Sequence, residues 1–78
     1  MLRFELIENN KEYVSYRYFP ENQKASGSLT VRKDDKTIIS QTIAENDDFK
    51  WCFFKIFKRI KEFIDNGKYE EQGIIAWY

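Results

Sequence analysis

Asp47-Asp48-Phe49-Lys50-Trp51-Cys52-Phe53-Phe54-Lys55-Ile56-Phe57-Lys58-Arg59-Ile60-Lys61-Glu62-Phe63-Ile64-Asp65-Asn66 is the stretch that decides the fold. It is the only segment long and periodic enough to be read as a helix at sight, and it holds the largest block of apolar mass. At 100° per residue, Phe49, Cys52, Phe53, Ile56, Phe57, Ile60, Phe63 and Ile64 fall on one arc about 140° wide, which marks a core face. Lys50, Lys55, Lys58, Lys61, Glu62 and Asp65 fall on the opposite side together with Trp51 and Phe54, two aromatics that burial of the core face leaves unexplained. Asn46 is placed to cap the helix, Asp47 and Asp48 to meet its positive end, and Asn66-Gly67 to stop it, with Arg59 and Lys61 in the last turns. Twenty residues at 1.5 Å span about 30 Å, enough to cross a small sheet.

On the N-terminal side of the helix the pattern changes to period two. Leu2-Arg3-Phe4-Glu5-Leu6 alternates apolar with charged, the mark of a strand with one buried face. Glu8-Asn9-Asn10-Lys11 supplies a turn, and Glu12 to Phe19 reads as a second strand ended by Pro20. Both faces of that strand carry aromatics, Val14, Tyr16 and Tyr18 on one and Tyr13 and Phe19 on the other, so alternation leaves its buried face open. Gly27 to Arg32 reads as a third strand after the polar connection Glu21 to Ser26, and Thr37 to Ile43 as a fourth, in a register its mixed pattern does not fix. After Gly67, Gly73 to Tyr78 is a last, apolar strand. The fold class expected is α+β: an antiparallel meander of four strands, one long helix across a sheet face, and a C-terminal fifth strand (ββββαβ) in sheet order 5-1-2-3-4.

Seventy-eight residues make one domain, residues 1–78. An aromatic share of 18% provides a core even though a third of the chain is charged. Thirteen basic residues balance thirteen acidic ones, which disfavours a nucleic-acid or acidic-membrane binder driven by net charge. No apolar run is long enough to span a bilayer. One cysteine and no secretory leader point to the cytoplasm, and the pattern reads as a complete small protein.

The chain has no histidine, which removes the commonest general base, the commonest zinc ligand and every Ser-His or Cys-His nucleophile. Cys52, on the core arc, reads as a small buried hydrophobe. Asp34-Asp35 and Asp47-Asp48 are better explained by turn chemistry and helix capping than by acid–base or Mg²⁺ work. The three glycines are far apart and form no phosphate loop. No enzyme, cofactor or metal is expected.

One candidate contact surface is left, the outer helix face of Lys50, Trp51, Phe54, Lys55, Lys58 and Lys61. Aromatics among lysines dock on an acidic protein surface, or stack bases and neutralise phosphates; alternatively, Trp51 and Phe54 pack under the first loop or a chain terminus. The strand aromatics Tyr13, Tyr16, Tyr18 and Phe19, with Trp77 and Tyr78, either pair within the sheet or form a dimer interface on its open face. The favoured expectation is a non-catalytic module for protein binding or self-association. A nucleic-acid binder using the lysine and aromatic face is the alternative.

Ala44-Glu45-Asn46-Asp47-Asp48-Phe49-Lys50-Trp51, the Phe-rich helix after it, and the ending Gly73-Ile74-Ile75-Ala76-Trp77-Tyr78 resemble a group of small uncharacterised single-domain proteins of Gram-positive bacteria. The resemblance covers most of the chain. It brings no activity, cofactor or site residue, and implies a bacterial cytoplasmic protein encoded as a stand-alone domain.

Overall fold

Alternating strands joined by short links leave a chain little choice but to fold back on itself, and the computed structural model, which describes residues 1–21, 24–45, 47 and 50–76, shows that meander. Its strands are β1 (Leu2–Asn9), β2 (Tyr13–Pro20), β3 (Gly27–Arg32), β4 (Ile38–Thr42) and, after the helix α1 (Trp51–Asn66), β5 (Gln72–Ile75). All neighbours are antiparallel in the order β4-β3-β2-β1-β5, the expected α+β arrangement and sheet order.

Register settles which face of β2 is buried. Leu6 and Leu29 flank Tyr16, and Phe4 and Gly27 flank Tyr18, so the clean alternation of β1 and β3 turns both tyrosines inward. They join Leu2, Phe4, Val14, Leu29, Val31 and Ile75 in a core capped by Cys52, Phe53, Ile56, Ile60 and Phe63 of α1. The Phe63 ring lies 5.9 Å from Phe4 and 5.6 Å from Tyr16, and Phe53 lies 6.4 Å from Tyr18, which seats α1 over β1 and β2. The Tyr16 hydroxyl donates to the Glu70 carbonyl at 2.6 Å, tying β2 to the link before β5. Gly73 lets β5 close on β1, because a Cβ there would stand 2.7 Å from the Phe4 ring.

Two irregularities depart from simple alternation. Leu6 faces Tyr16 while Glu8 faces Ser15, so Ile7 is an extra residue; the bulge carries β1 on to Asn9, beyond the expected end at Leu6. In β4, Thr30 faces Ser40 while Val31 faces Ile38, leaving Ile39 as the extra residue, which is why the sequence of β4 shows no clean period.

The open sheet face is mostly polar, with the exposed Ile74 opposite Arg3. Ser15 and Thr30 share a hydroxyl hydrogen bond of 2.9 Å, and the Arg3 guanidinium covers the Phe19 ring at 3.9 Å while pairing with Glu5 at 2.8 Å. Tyr13 is half-buried with its hydroxyl on Glu8. Of the strand aromatics, Tyr16 and Tyr18 are in the core, whereas Tyr13 and Phe19 lie half-buried on the open face; Trp77 and Tyr78 lie outside the described residues. No described helix is long and apolar enough to cross a membrane.

Candidate functional site

The candidate surface is set by how α1 begins. The helix starts at Trp51, four residues later than the periodicity suggests, and Asp47 stands outside it rather than in its first turn. Lys50 takes a left-handed conformation (φ 59°) that turns the chain into the helix, so that the 7%-exposed Asp47 reaches back over the helix mouth. Its carboxylate accepts the Cys52 and Phe53 N–H groups at 2.8 Å each. These are donors that the helix itself cannot satisfy, and the carboxylate also offsets the positive end of the dipole. Tyr18 donates its hydroxyl to the same carboxylate at 3.0 Å and accepts the Ala44 N–H at 3.1 Å, so the cap is locked to β2. Asn46, Asp48 and Phe49, given roles in the cap and core arc, lie outside the described residues. At the far end Gly67 (φ 72°) closes the helix through its N–H to the Phe63 carbonyl at 2.8 Å, and no basic side chain falls in the last turn, Arg59 and Lys61 sitting further back.

This cap fixes the rotation of α1 and therefore what faces outward. Trp51 is 62% exposed and Phe54 57%, so neither packs under a loop or terminus among the described residues. Trp51, Phe54, Lys55 and Lys58 follow the i, i+3, i+4, i+7 spacing of a single helix stripe. Phe54 leans edge-on against Phe53 at 5.8 Å, which anchors the exposed ring to the core. Lys50 and Lys58 are exposed; Lys55 is half-buried. Lys61 is turned away from the stripe, with its ammonium over the Phe57 ring at 4.5 Å. The structure thus brings together Trp51, Phe54, Lys55 and Lys58, with Lys50 at the N-terminal edge and Lys61 on a flank.

Arg59 and Glu62 were not among the expected site residues. Together with Lys55, Lys58 and Ile75 they line a cavity of about 140 Å³. Their spacing on α1 was visible in the sequence, but the placement of β5 beside them was not. A wider cleft of about 710 Å³ lies between the hairpin tips, lined by Lys11, Glu12, Tyr13, Arg32, Asp34 and Ile39; two cations and two carboxylates give it no preference for either sign of charge.

Titratable groups with displaced pKa values serve the fold. Burial, then the charge of Asp47, pushes the Cys52 thiol up to about 11, so it stays protonated as a small hydrophobe should. Tyr16 and Tyr18 are raised above the ordinary tyrosine range first by burial. The exposed Asp35 carboxyl is lowered, chiefly by the Thr37 hydroxyl, which it accepts at 2.7 Å along with the Thr37 N–H at 3.2 Å. That is turn chemistry, as expected.

No family model, curated protein or solved structure matches this chain.

Proposed function

We propose that this chain is a small non-catalytic interaction module that binds a protein partner through the outer face of α1. The observation that carries this reading is the pair Trp51 and Phe54, exposed one turn apart on a helix whose opposite face buries Cys52, Phe53, Ile56, Ile60 and Phe63 in the core. Rigid aromatics of this kind are favoured binding anchors, since they bring large apolar area at low cost in side-chain entropy. Lys50, Lys55 and Lys58 around them select a partner with an apolar pocket rimmed by carboxylates, and they steer its approach.

Five cations against two carboxylates between Lys50 and Asn66 favour a second reading, in which bases stack on Trp51 and Phe54 and phosphates meet the lysines. Site-specific photocross-linking separates the two. Benzoylphenylalanine at Phe54, in cells that express the chain, should give one discrete protein adduct that disappears with Lys55→Glu and Lys58→Glu. The same probe at Arg17, on the open sheet face, should give none. An adduct removed by nuclease would transfer the proposal to nucleic acid. Adducts at Arg17 with none at Phe54 would reject the helix face.

A further inference from the structure

Strand β4 ends the sheet on the side away from β5, and all five of its residues are exposed. Free sheet edges are normally protected by charge, proline or a cover. The run Thr37-Ile38-Ile39-Ser40-Gln41-Thr42-Ile43 has no charged residue, proline or glycine, in a chain that is 33% charged. Three isoleucines and two threonines give it strong strand propensity, and Ile38 and Ile39 are 37% and 48% exposed. The bulge at Ile39 is its only edge-blunting feature, and it leaves Ser40 to Thr42 regular.

The outward backbone groups follow from the ladder. The Lys33 N–H donates to the Glu12 carbonyl, so by alternation Ser28, Thr30 and Arg32 turn their backbone groups toward β4, as the Arg32 N–H bond to the Thr37 carbonyl (2.8 Å) confirms. Ser40 and Thr42, opposite Thr30 and Ser28, therefore bond inward, and the N–H and C=O of Gln41 point out of the sheet.

We propose that β4 is a homodimer interface, in which a second copy of this chain lays its own β4 antiparallel to the first, centred on Gln41, and extends the sheet from five strands to ten. A two-fold axis at Gln41 sets Ser40 opposite the partner's Thr42 on the open face and brings Ile39 to the partner's Ile43. Hydroxyl meets hydroxyl, apolar meets apolar, and no charged side chain lies between Thr37 and Ile43. The occupant follows from charge. A neutral edge offers nothing to an acidic or basic segment, whereas a second copy brings the same neutral, β-branched strand. The β5 edge does not meet this condition, because Glu70 and Glu71 precede it and Lys55, Lys58 and Arg59 stand beside it. The dimer displays the outer face of α1 twice, so a partner with two sites gains avidity.

The test is absolute mass by light scattering from about 1 µM to about 500 µM, the range that covers weak and stable dimers. The expected mass is twice the 9.5 kDa of the chain, insensitive to salt. Gln41→Lys and Gln41→Glu each place like charges on the axis of the interface and should weaken the dimer at least about tenfold; mixed one to one they should restore it, now in a salt-sensitive form. The side chain of Gln41 is exposed, so both variants should keep the wild-type circular dichroism. Trp51→Ala with Phe54→Ala should stay dimeric. A wild-type mass fixed at one chain, growth beyond the dimer, or a charge-swapped mixture that stays monomeric would overturn the proposal. So would a Gln41→Lys chain that dimerises while the Trp51→Ala, Phe54→Ala chain does not.

Discussion

Replacing Asp47 with alanine tests the link between cap, core and exposed face. One carboxylate, 7% exposed, accepts the Cys52 N–H, the Phe53 N–H and the Tyr18 hydroxyl at 2.8, 2.8 and 3.0 Å. A helix cap alone is worth about 0.5–2 kcal/mol, and a hydrogen bond to a charged group about 1.5–3 kcal/mol. The three bonds share one acceptor and do not add, and water reaches the first turn once the carboxylate is gone, so the expected loss is about 3 kcal/mol. For a domain this size, with a stability of roughly 4–12 kcal/mol, that is a large fraction of the total. It should lower the thermal midpoint by about 12–24 °C. Urea unfolding followed by far-ultraviolet circular dichroism should show a midpoint lower by about 2 M or more with unchanged slope. Asp47→Asn keeps one acceptor oxygen and should lose about half as much. Tyr18→Phe should be coupled to Asp47→Ala by about 1 kcal/mol in a double-mutant cycle. A loss under about 1 kcal/mol for Asp47→Ala, with additive behaviour in the cycle, would refute the cap as the element that fixes α1.

Phe63→Ala should cost about 3–5 kcal/mol in the same urea assay, because its ring fills the space between Phe4 and Tyr16 in the core. Alkaline titration should also unfold the domain. An unfolded chain releases the Cys52 proton near pH 8.5–9 and the folded one holds it to about 11, so stability is full below that window and falls as pH rises through it. Tyr16 and Tyr18, raised in the same direction, extend the loss from about pH 10 upward; Cys52→Ala should flatten the first part of the decline and leave the second.

The parts of the fold visible in the sequence were those with a clean period. The core arc from Cys52 to Ile64 follows from 3.6-residue spacing, and the sheet order from four strands with short links and a helix that returns the chain beside β1. The buried face of β2 was hidden because aromatics stand on both sides. The alternation of Leu2 and Phe4 in β1 and of Leu29 and Val31 in β3, registered across the ladders, was the signal that resolves it. Bulges at Ile7 and Ile39 add a residue without any local mark, which hid the end of β1 and the register of β4. The helix start was misplaced because Asp47 caps from outside, across a left-handed Lys50, a geometry that propensity and spacing do not encode. The outer face of α1 was legible as a list of residues. Only the structure separates the exposed stripe of Trp51, Phe54 and Lys58 from Lys61, which is turned onto Phe57.

The central claim is that α1 gives one face to the fold and leaves the other free for a partner. Urea unfolding of the Trp51→Ser, Phe54→Ser double variant tests it most directly. The expected loss is below about 1.5 kcal/mol, most of it the edge contact of Phe54 with Phe53. A loss of about 3 kcal/mol or more, the size of a core truncation, would place both rings in the structure of the fold and contradict the claim.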